Sequence, residues 1–133
     1  MNYPIGTVTG AEIAARLKSV GIRTTTRFLD AASSPTERKK LAEKTGLDEK
    51  RILSWANTAD RMRIKGVGAD YAVLLQAAGV DTVRELKYRN PSKLARAMAE
   101  ANTKRKLARV LPSDRAVVRW IEHAKRLPPK ISY

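Results

Sequence analysis

The chain has 133 residues, 43% of them hydrophobic, and it lacks cysteine, which excludes a disulfide scaffold, a thiolate metal site and a cysteine nucleophile. Its 27 lysines and arginines against 13 aspartates and glutamates give a formal net charge of +14, which indicates a polyanionic partner such as nucleic acid. No apolar run approaches the roughly 20 residues that cross a bilayer, and the N-terminus does not resemble a signal peptide, so we expect a cytoplasmic protein without a membrane partner.

Abundant alanine and leucine, without convincing period-two alternation, predict an all-α fold of short helices in hairpins. Capping residues, first-turn prolines and closing glycines place eight helices along the chain. These lie near residues 10–20, 24–32, 35–45, 48–62, 68–78, 82–89, 91–108 and 113–126. Thr9, Ser34 and Thr82 each begin a capping box, and Pro128-Pro129 ends the last helix before a short extended tail, 128–133.

The chain contains a two-fold internal repeat. A shift of 58 residues places the helix start, apolar face and glycine stop of Gly10–Thr24 on those of Gly68–Thr82. A shift of 65 pairs two apolar stripes: Ile52, Trp55, Ala56, Ala59 and Met62 with Val117, Trp120, Ile121, Ala124 and Leu127. We therefore predict one compact domain, 1–133, with repeat 1 at about 5–62 and repeat 2 at about 63–127.

Positive charge is concentrated in the second copy. Residues 1–60 carry ten basic and seven acidic side chains, whereas residues 61–133 carry 17 and six. The second copy is also longer, and its extra residues fall between Ala99 and Leu111. The most basic segment lies in or beside this insertion and contains Lys104, Arg105, Lys106 and Arg109. It is either a solvated helix face or a contact for phosphates, and both interpretations stay open.

Gly66, Val67 and Gly68 directly precede a predicted helix. Glycine allows backbone angles that are denied to other residues, and it lets the surface of a partner approach. The N–H groups of about residues 66–71 lie at the positive end of the helix dipole, where successive free amides form a nest for a phosphate. Such a site contacts the nucleic-acid backbone and does not read bases.

The segment Ile64–Gly79 resembles the helix-hairpin-helix motif of DNA repair and replication proteins. The motif positions are filled by Ile64, Gly66, Val67, Gly68, Ala72 and Leu75. The whole chain is similar to an uncharacterised bacterial domain-of-unknown-function family of tandem helix-hairpin-helix proteins. The resemblance implies sequence-independent binding of a nucleic-acid backbone, DNA more than RNA. The groups it implies are the amides of Gly66, Gly68, Asp70 and Tyr71 and the charges of Lys65 and the neighbouring Arg63. In some relatives hairpin carbonyls hold a monovalent cation, and the matching oxygens belong to Met62, Ile64 and Val67.

Two features favour a second interpretation, in which the hairpins only stabilise the fold. The first copy has Val8-Thr9-Gly10 where the second has Gly66-Val67-Gly68. Asp70 and its counterpart Glu12 each place a carboxylate in the first helical turn, where it competes with phosphate for the same amides. The chain would then be an adaptor for an acidic protein partner.

Other chemistry finds little support in the sequence. His123 is the only histidine and is expected at the surface, because a single histidine without clustered carboxylates does not make a transition-metal site. Trp55 and Trp120 fall within apolar stripes and are expected in the core, so they are not predicted to stack on bases. The chain has neither a P-loop nor a nucleophile elbow. We therefore expect no catalytic residue, no metal site and no enzymatic activity; the oligomeric state is left open.

Overall fold

The computed structural model describes residues 2–133, and this range contains nine α-helices and no strand. The one extended pairing within it is an isolated bridge between Pro4 and Thr24. The predicted all-α class is therefore confirmed. None of the helices in residues 2–133 is long and apolar enough to span a lipid bilayer.

The chain divides into two compact units. The first comprises residues up to Asp60 together with Pro129–Tyr133, and the second comprises Arg61–Pro128. The division falls two residues before the predicted boundary between the repeats. The arrangement of two repeats as one domain stays a prediction.

The first unit contains α1 (Gly6–Thr9), α2 (Ala11–Ser19), α3 (Thr25–Ala31), α4 (Pro35–Thr45) and α5 (Glu49–Arg61), whose last residue belongs to the second unit. Its core includes the fully buried Leu17, Phe28 and Ile52. The C-terminal tail contains no helix, as predicted, and it is bound to this unit. Ser132 N–H donates to the carbonyl of Ser33 at 2.7 Å, and Tyr133 Oη donates to Asn57 Oδ1 at 2.6 Å.

The second unit contains α6 (Ala69–Ala77), α7 (Val83–Lys87), α8 (Pro91–Arg105) and α9 (Asp114–Arg126). The predicted stripe of α9 faces the core, since Val117, Trp120, Ile121 and Ala124 are all buried. The core is completed by Leu74, Leu75, Leu86, Leu94 and Met98, which are fully buried. Burial of each such side chain contributes roughly 1.5–3 kcal/mol relative to exposure.

Local capping explains most helix starts. The Ser34 hydroxyl accepts from the Glu37 amide at 3.2 Å, and the Thr82 hydroxyl accepts from the Glu85 amide at 3.1 Å, as the capping boxes predict. The capping role predicted for Thr9 is wrong. Thr9 is the last residue of α1, a helix that the sequence patterns do not predict, and its hydroxyl has two acceptors within reach, the carbonyls of Gly10 at 3.0 Å and Ile5 at 3.4 Å.

Residues matched at the offset of 58 close α2 and α6 with the same turn. Ile22 N–H donates to the Leu17 carbonyl at 3.0 Å, and Val80 N–H donates to the Leu75 carbonyl at 2.9 Å. The glycine before each donor, Gly21 or Gly79, has a positive φ of 87° or 96°. These are the six-to-one bonds and the left-handed residue of a Schellman closure.

The insertion in the second copy lengthens both a helix and a loop. α8 has 15 residues, whereas α4 has 11, and α8 is followed by the loop 106–113. α8 ends at Arg105, earlier than the predicted 108. Lys106 has a left-handed φ of 50°, and the Asn102 side chain exchanges two hydrogen bonds, of 2.9 and 3.0 Å, with the backbone of Ala108. The backbone N–H and carbonyl of Ala108 are therefore hydrogen-bonded although Ala108 lies beyond the end of α8.

Candidate nucleic-acid interface

The turn between α5 and α6 is built on buried apolar side chains. Met62, Ile64 and Val67 are fully buried. Ile64 N–H donates to the Arg61 carbonyl at 3.2 Å, and Val67 N–H donates to the Ile64 carbonyl at 3.0 Å. Two successive hydrogen-bonded turns therefore place Lys65, Gly66 and Gly68 next to these buried side chains. We call residues 62–68 the α6 turn.

A buried arginine fixes the α6 turn to the helix that follows it. The Arg61 side chain is fully buried, and its Nε donates to the carbonyl of Ala72 in α6 at 2.9 Å. Its Nη1 donates to the carbonyl of Asp81, just beyond the end of α6. Because the guanidinium is fully buried and donates to these two carbonyls, Arg61 stabilises the hairpin and adds no exposed charge.

The two glycines of the α6 turn are needed for different reasons. Gly66 has a φ of 91°, and a Cβ atom there would lie 3.1 Å from Trp120 Nε1. Gly68 has φ −88° and ψ −169°, which any residue can adopt, and within residues 2–133 no heavy atom outside residues 67–69 lies within 4 Å of the position that a Cβ would take. The expectation of special backbone angles therefore holds for Gly66 and is wrong for Gly68. Its counterpart in the first unit, Gly10, does require glycine, with a φ of 85°.

The predicted phosphate-binding amides are available. Within the described residues, the N–H groups of Gly66, Gly68, Asp70 and Tyr71 donate to no other group of the chain. The carboxylate of Asp70 is exposed, and in the same range it accepts no hydrogen bond from these amides. The first turn of α6 thus keeps free donors at the positive end of the helix dipole.

His123 contacts the α6 turn. The backbone amide of Lys65 donates to His123 Nδ1 at 3.1 Å, and the imidazole is half-buried. Burial lowers the pKa of His123, and the positive charges of Arg126, Arg63 and Lys65 lower it further. The expectation of a simple surface residue is thus incomplete. No local sequence signal reveals this contact, because Lys65 and His123 are 58 residues apart.

Both predicted core tryptophans pack against apolar surface. Trp120 is only 3% exposed, and its ring lies 5.3 Å from that of Tyr71, centroid to centroid. The Tyr71 hydroxyl donates to the Val110 carbonyl at 2.9 Å, so this ring also anchors the loop 106–113. Trp55 is partly buried against the core of the first unit, with the Arg51 guanidinium 4.8 Å from its ring centroid. Trp120 is thus a core residue, and Trp55 packs at the edge of the first unit's core with a cation over its ring.

The cations beside the α6 turn include Lys65, which the sequence singles out, and Arg119 and Arg126, which it does not. Arg63 directs Nη2 to the carbonyl of Pro128 at 2.9 Å, so it supports the end of α9. Lys65 is exposed and lines one groove with Arg119 and Arg126. Arg119, His123 and Arg126 follow the i, i+4, i+7 spacing of one helix face. The spacing is visible in the sequence, but which face contacts the turn is not.

The basic segment 104–109 is divided by the fold. Lys104 and Arg105, in the last turn of α8, line a cleft with Ala77 and Ala78 at the C-terminal end of α6. The α6 turn is at the opposite end of this nine-residue helix, on the order of 13 Å away. Lys106 and Arg109 are exposed in the loop, and Arg109 adjoins Val110, which is bonded to Tyr71 beside the turn. Arg109 is thus the member of the segment that is next in the chain to a residue bonded beside the turn.

The candidate cation carbonyls belong to buried residues of the same turn. The Ile64 carbonyl already accepts the Val67 amide, which leaves it one lone pair for a cation. The described part of the chain contains no group of three or more histidine, cysteine, aspartate or glutamate side chains that could hold a metal ion.

Comparison with known proteins places the chain in a family. No curated protein and no solved structure matches it significantly. A family model described as Domain of unknown function (DUF4332) matches residues 8–127. Since this match spans far more than half of the 133 residues, the chain belongs to the uncharacterised DUF4332 family.

Proposed function

We propose that the chain is a non-enzymatic, cytoplasmic protein that binds nucleic acid, DNA more than RNA, independently of sequence. The segment 64–79 acts as a helix-hairpin-helix element, and the basic segment 104–109 adds phosphate contacts. The observation that carries the proposal is Gly68. Gly68 is the N-cap residue of α6, where glycine is common, but neither its backbone angles nor its packing requires one. A bare position beside free amides is what close approach of a phosphate requires.

Charge supports the same proposal. The amides of Gly66, Gly68, Asp70 and Tyr71 lie where the dipole of α6 contributes about half a positive charge. Residues 61–133 add 17 basic against six acidic side chains. The Asp70 carboxylate opposes an anion through its charge, but it leaves the amides open within the described residues. Binding through amides and cations is sequence-independent, because neither group reads a base edge.

A second candidate is a helical adaptor for an acidic protein, with hairpins that serve only in packing. Gly66 is the observation that favours it. This glycine is explained fully by its positive φ and by the approach of Trp120 Nε1, without any ligand. The two candidates therefore differ at Gly68, for which the packing alternative offers only the general preference for glycine at a helix N-cap.

Fluorescence anisotropy with a labelled 20-base-pair duplex and with single-stranded DNA and RNA, from 50 to 200 mM salt, tests the proposal. Wild-type Kd should rise with a log–log slope of several units, because neutralised phosphates release counterions. Gly68→Val should weaken binding at least tenfold and leave the helical circular-dichroism spectrum unchanged. Ser54→Val, which also introduces an exposed valine but in α5, away from the turn, is the control.

Binding that is undetectable at 50 mM salt, or that is indifferent to salt, would refute a nucleic-acid function. Unchanged affinity in Gly68→Val would refute the α6 turn as the contact and leave only the basic segment.

A further inference from the structure

A groove of about 810 Å³ lies beside the α6 turn, within the second unit. One wall is the loop 106–113, which contributes Val110, Leu111 and Pro112, and the other is α9, which contributes Ala116 and Val118. Its volume lies within the roughly 300–1,000 Å³ of ligand sites in proteins. The groove is therefore large enough to enclose one or two apolar side chains of a partner.

Exposed apolar surface is concentrated in this groove. Among the described residues, six large apolar side chains are exposed, and three of the six line the groove. They are Val110, which is 71% exposed, and Leu111 and Val118, each 43% exposed. Clustered exposed apolar side chains indicate an interaction site, whereas isolated ones do not.

The loop wall is held in place by specific bonds. The Tyr71 hydroxyl binds the Val110 carbonyl at 2.9 Å, and the Asn102 side chain fixes the start of the loop through its two bonds to Ala108. The corresponding connection in the first unit, between α4 and α5, consists of residues 46–48 alone. The apolar wall therefore belongs to the insertion that distinguishes the second copy.

The rim of the groove is positive. Lys65, Arg119 and Arg126 line it, and the one carboxylate among the described lining residues, Glu122, is paired with Lys125 at 3.2 Å. A positive rim attracts an acidic partner and repels a second copy of this chain, whose net charge is +14. Among partners that could insert an apolar side chain, the positive rim therefore favours an acidic one.

The lining fits a peptide better than a nucleic acid. The exposed apolar side chains of the lining are aliphatic, whereas its rings are buried (Trp120, 3% exposed) or half-buried (Tyr71 and His123), so the groove offers limited ring surface on which a base could stack. A phosphate backbone would pair with the cations of the rim but would leave the aliphatic walls exposed to water. An acidic peptide with an apolar side chain satisfies both.

We propose that this groove binds a partner protein through a short segment in which a large aliphatic residue is flanked by acidic residues. The aliphatic side chain packs between Val110, Leu111 and Val118, and the carboxylates face Lys65, Arg119 and Arg126. This interaction goes beyond nucleic-acid binding and does not depend on it.

Panning a phage-displayed library of random 12-residue peptides against the full chain tests the proposal. The enriched peptides should share leucine, isoleucine or methionine within four residues of at least two aspartates or glutamates. The synthesised peptides should bind the Val110→Ser/Leu111→Ser variant at least tenfold more weakly by isothermal titration calorimetry. Tyr88→Ser, which removes a 78% exposed apolar side chain from outside the groove, should bind like the wild type. Amide proton–nitrogen NMR spectra establish that each variant is folded.

A library without enrichment would overturn the proposal, as would consensus peptides that lack either the acidic or the aliphatic component. Equal affinity for the serine double variant would do the same. The fourth opposing result would be that a 12-nucleotide oligodeoxythymidylate shifts the amide resonances of Val110, Leu111 and Val118 and the peptides do not. DNA binding by Gly68→Val is measured in a separate assay, so a failure of the nucleic-acid proposal can be distinguished from a failure of the peptide proposal.

Discussion

The backbone amide of Lys65 donates a hydrogen bond to Nδ1 of His123, 3.1 Å away, and joins the α6 turn to α9. Only an imidazole whose Nδ1 carries no proton can accept this bond. Protonation turns Nδ1 into a donor and places a positive charge beside Arg126 and Lys65. The geometry of the turn is therefore linked to the charge of one side chain.

Stability should consequently depend on pH through His123. Its pKa in the folded chain lies below its ordinary value of 6.5. Below pH 6.5 the unfolded chain therefore binds this proton more readily than the folded chain does. The contribution of His123 to the free energy of unfolding is complete above that pH and is progressively lost as pH falls toward the folded pKa. Urea unfolding midpoints between pH 5.0 and 7.5 measure the loss.

His123→Asn is the informative comparison, because the Asn Oδ1 can accept the Lys65 amide but does not titrate. We expect the midpoint of this variant to fall less steeply with decreasing pH. Carboxylates titrate equally in both proteins, so the difference between the two profiles isolates the histidine. Parallel profiles would show that the Lys65 bond does not couple stability to pH.

The two glycines of the α6 turn should respond differently to a methyl group. Gly66→Ala places a residue at a φ of 91° and its Cβ 3.1 Å from Trp120 Nε1, so we expect a loss of about 1–3 kcal/mol. Gly68→Ala meets neither problem and should change stability by less than about 0.5 kcal/mol. Chemical denaturation of both variants measures the contrast. Equal losses would mean that Gly68 is a packing residue and would remove the main support for phosphate binding.

Arg61 should be a stability residue despite its charge. Arg61→Met keeps most of the side-chain length but removes the bonds to the carbonyls of Ala72 and Asp81. We expect a loss of about 2–4 kcal/mol, because a charged donor contributes roughly 1.5–3 kcal/mol per hydrogen bond and methionine restores part of the packing. Thermal unfolding measures it, and Arg84→Met, at an exposed position, should be nearly neutral. An unchanged unfolding temperature in Arg61→Met would contradict the conclusion that Arg61 stabilises the hairpin.

The contribution of the basic segment can be separated from that of the turn. If Lys104 and Arg105 each contact a phosphate, Lys104→Gln/Arg105→Gln should reduce the salt slope of DNA binding by about 1.8, at about 0.9 per contact. Lys39→Gln/Lys40→Gln makes the same change of charge in the first unit and should leave the slope unchanged. Salt titrations by anisotropy measure both. An unaltered slope in the first variant would confine the interface to the α6 turn, Lys106 and Arg109.

Much of the helical framework could be read from local patterns. Ser34, Thr82 and Gly46 bound helices as predicted, and the spacing of Val117, Trp120, Ile121 and Ala124 correctly marks the buried face of α9. These features depend on residues within one or two helical turns of each other. The short α1 escapes prediction because four residues are too few to show a periodic pattern, and the capping box assigned to Thr9 is wrong for the same reason.

The candidate sites depended on contacts between distant residues. The net charge, the helical class and the insertion after Pro91 follow from the order of the residues alone. Tertiary structure alone decided that Arg61 is buried, that His123 accepts the Lys65 amide and that Val110 returns to Tyr71. The physical reason is that caps and apolar stripes are set by neighbours along the chain. The surroundings of the α6 turn are set by packing of α9 and a loop more than 35 residues away, as in the 39-residue separation of Tyr71 and Val110.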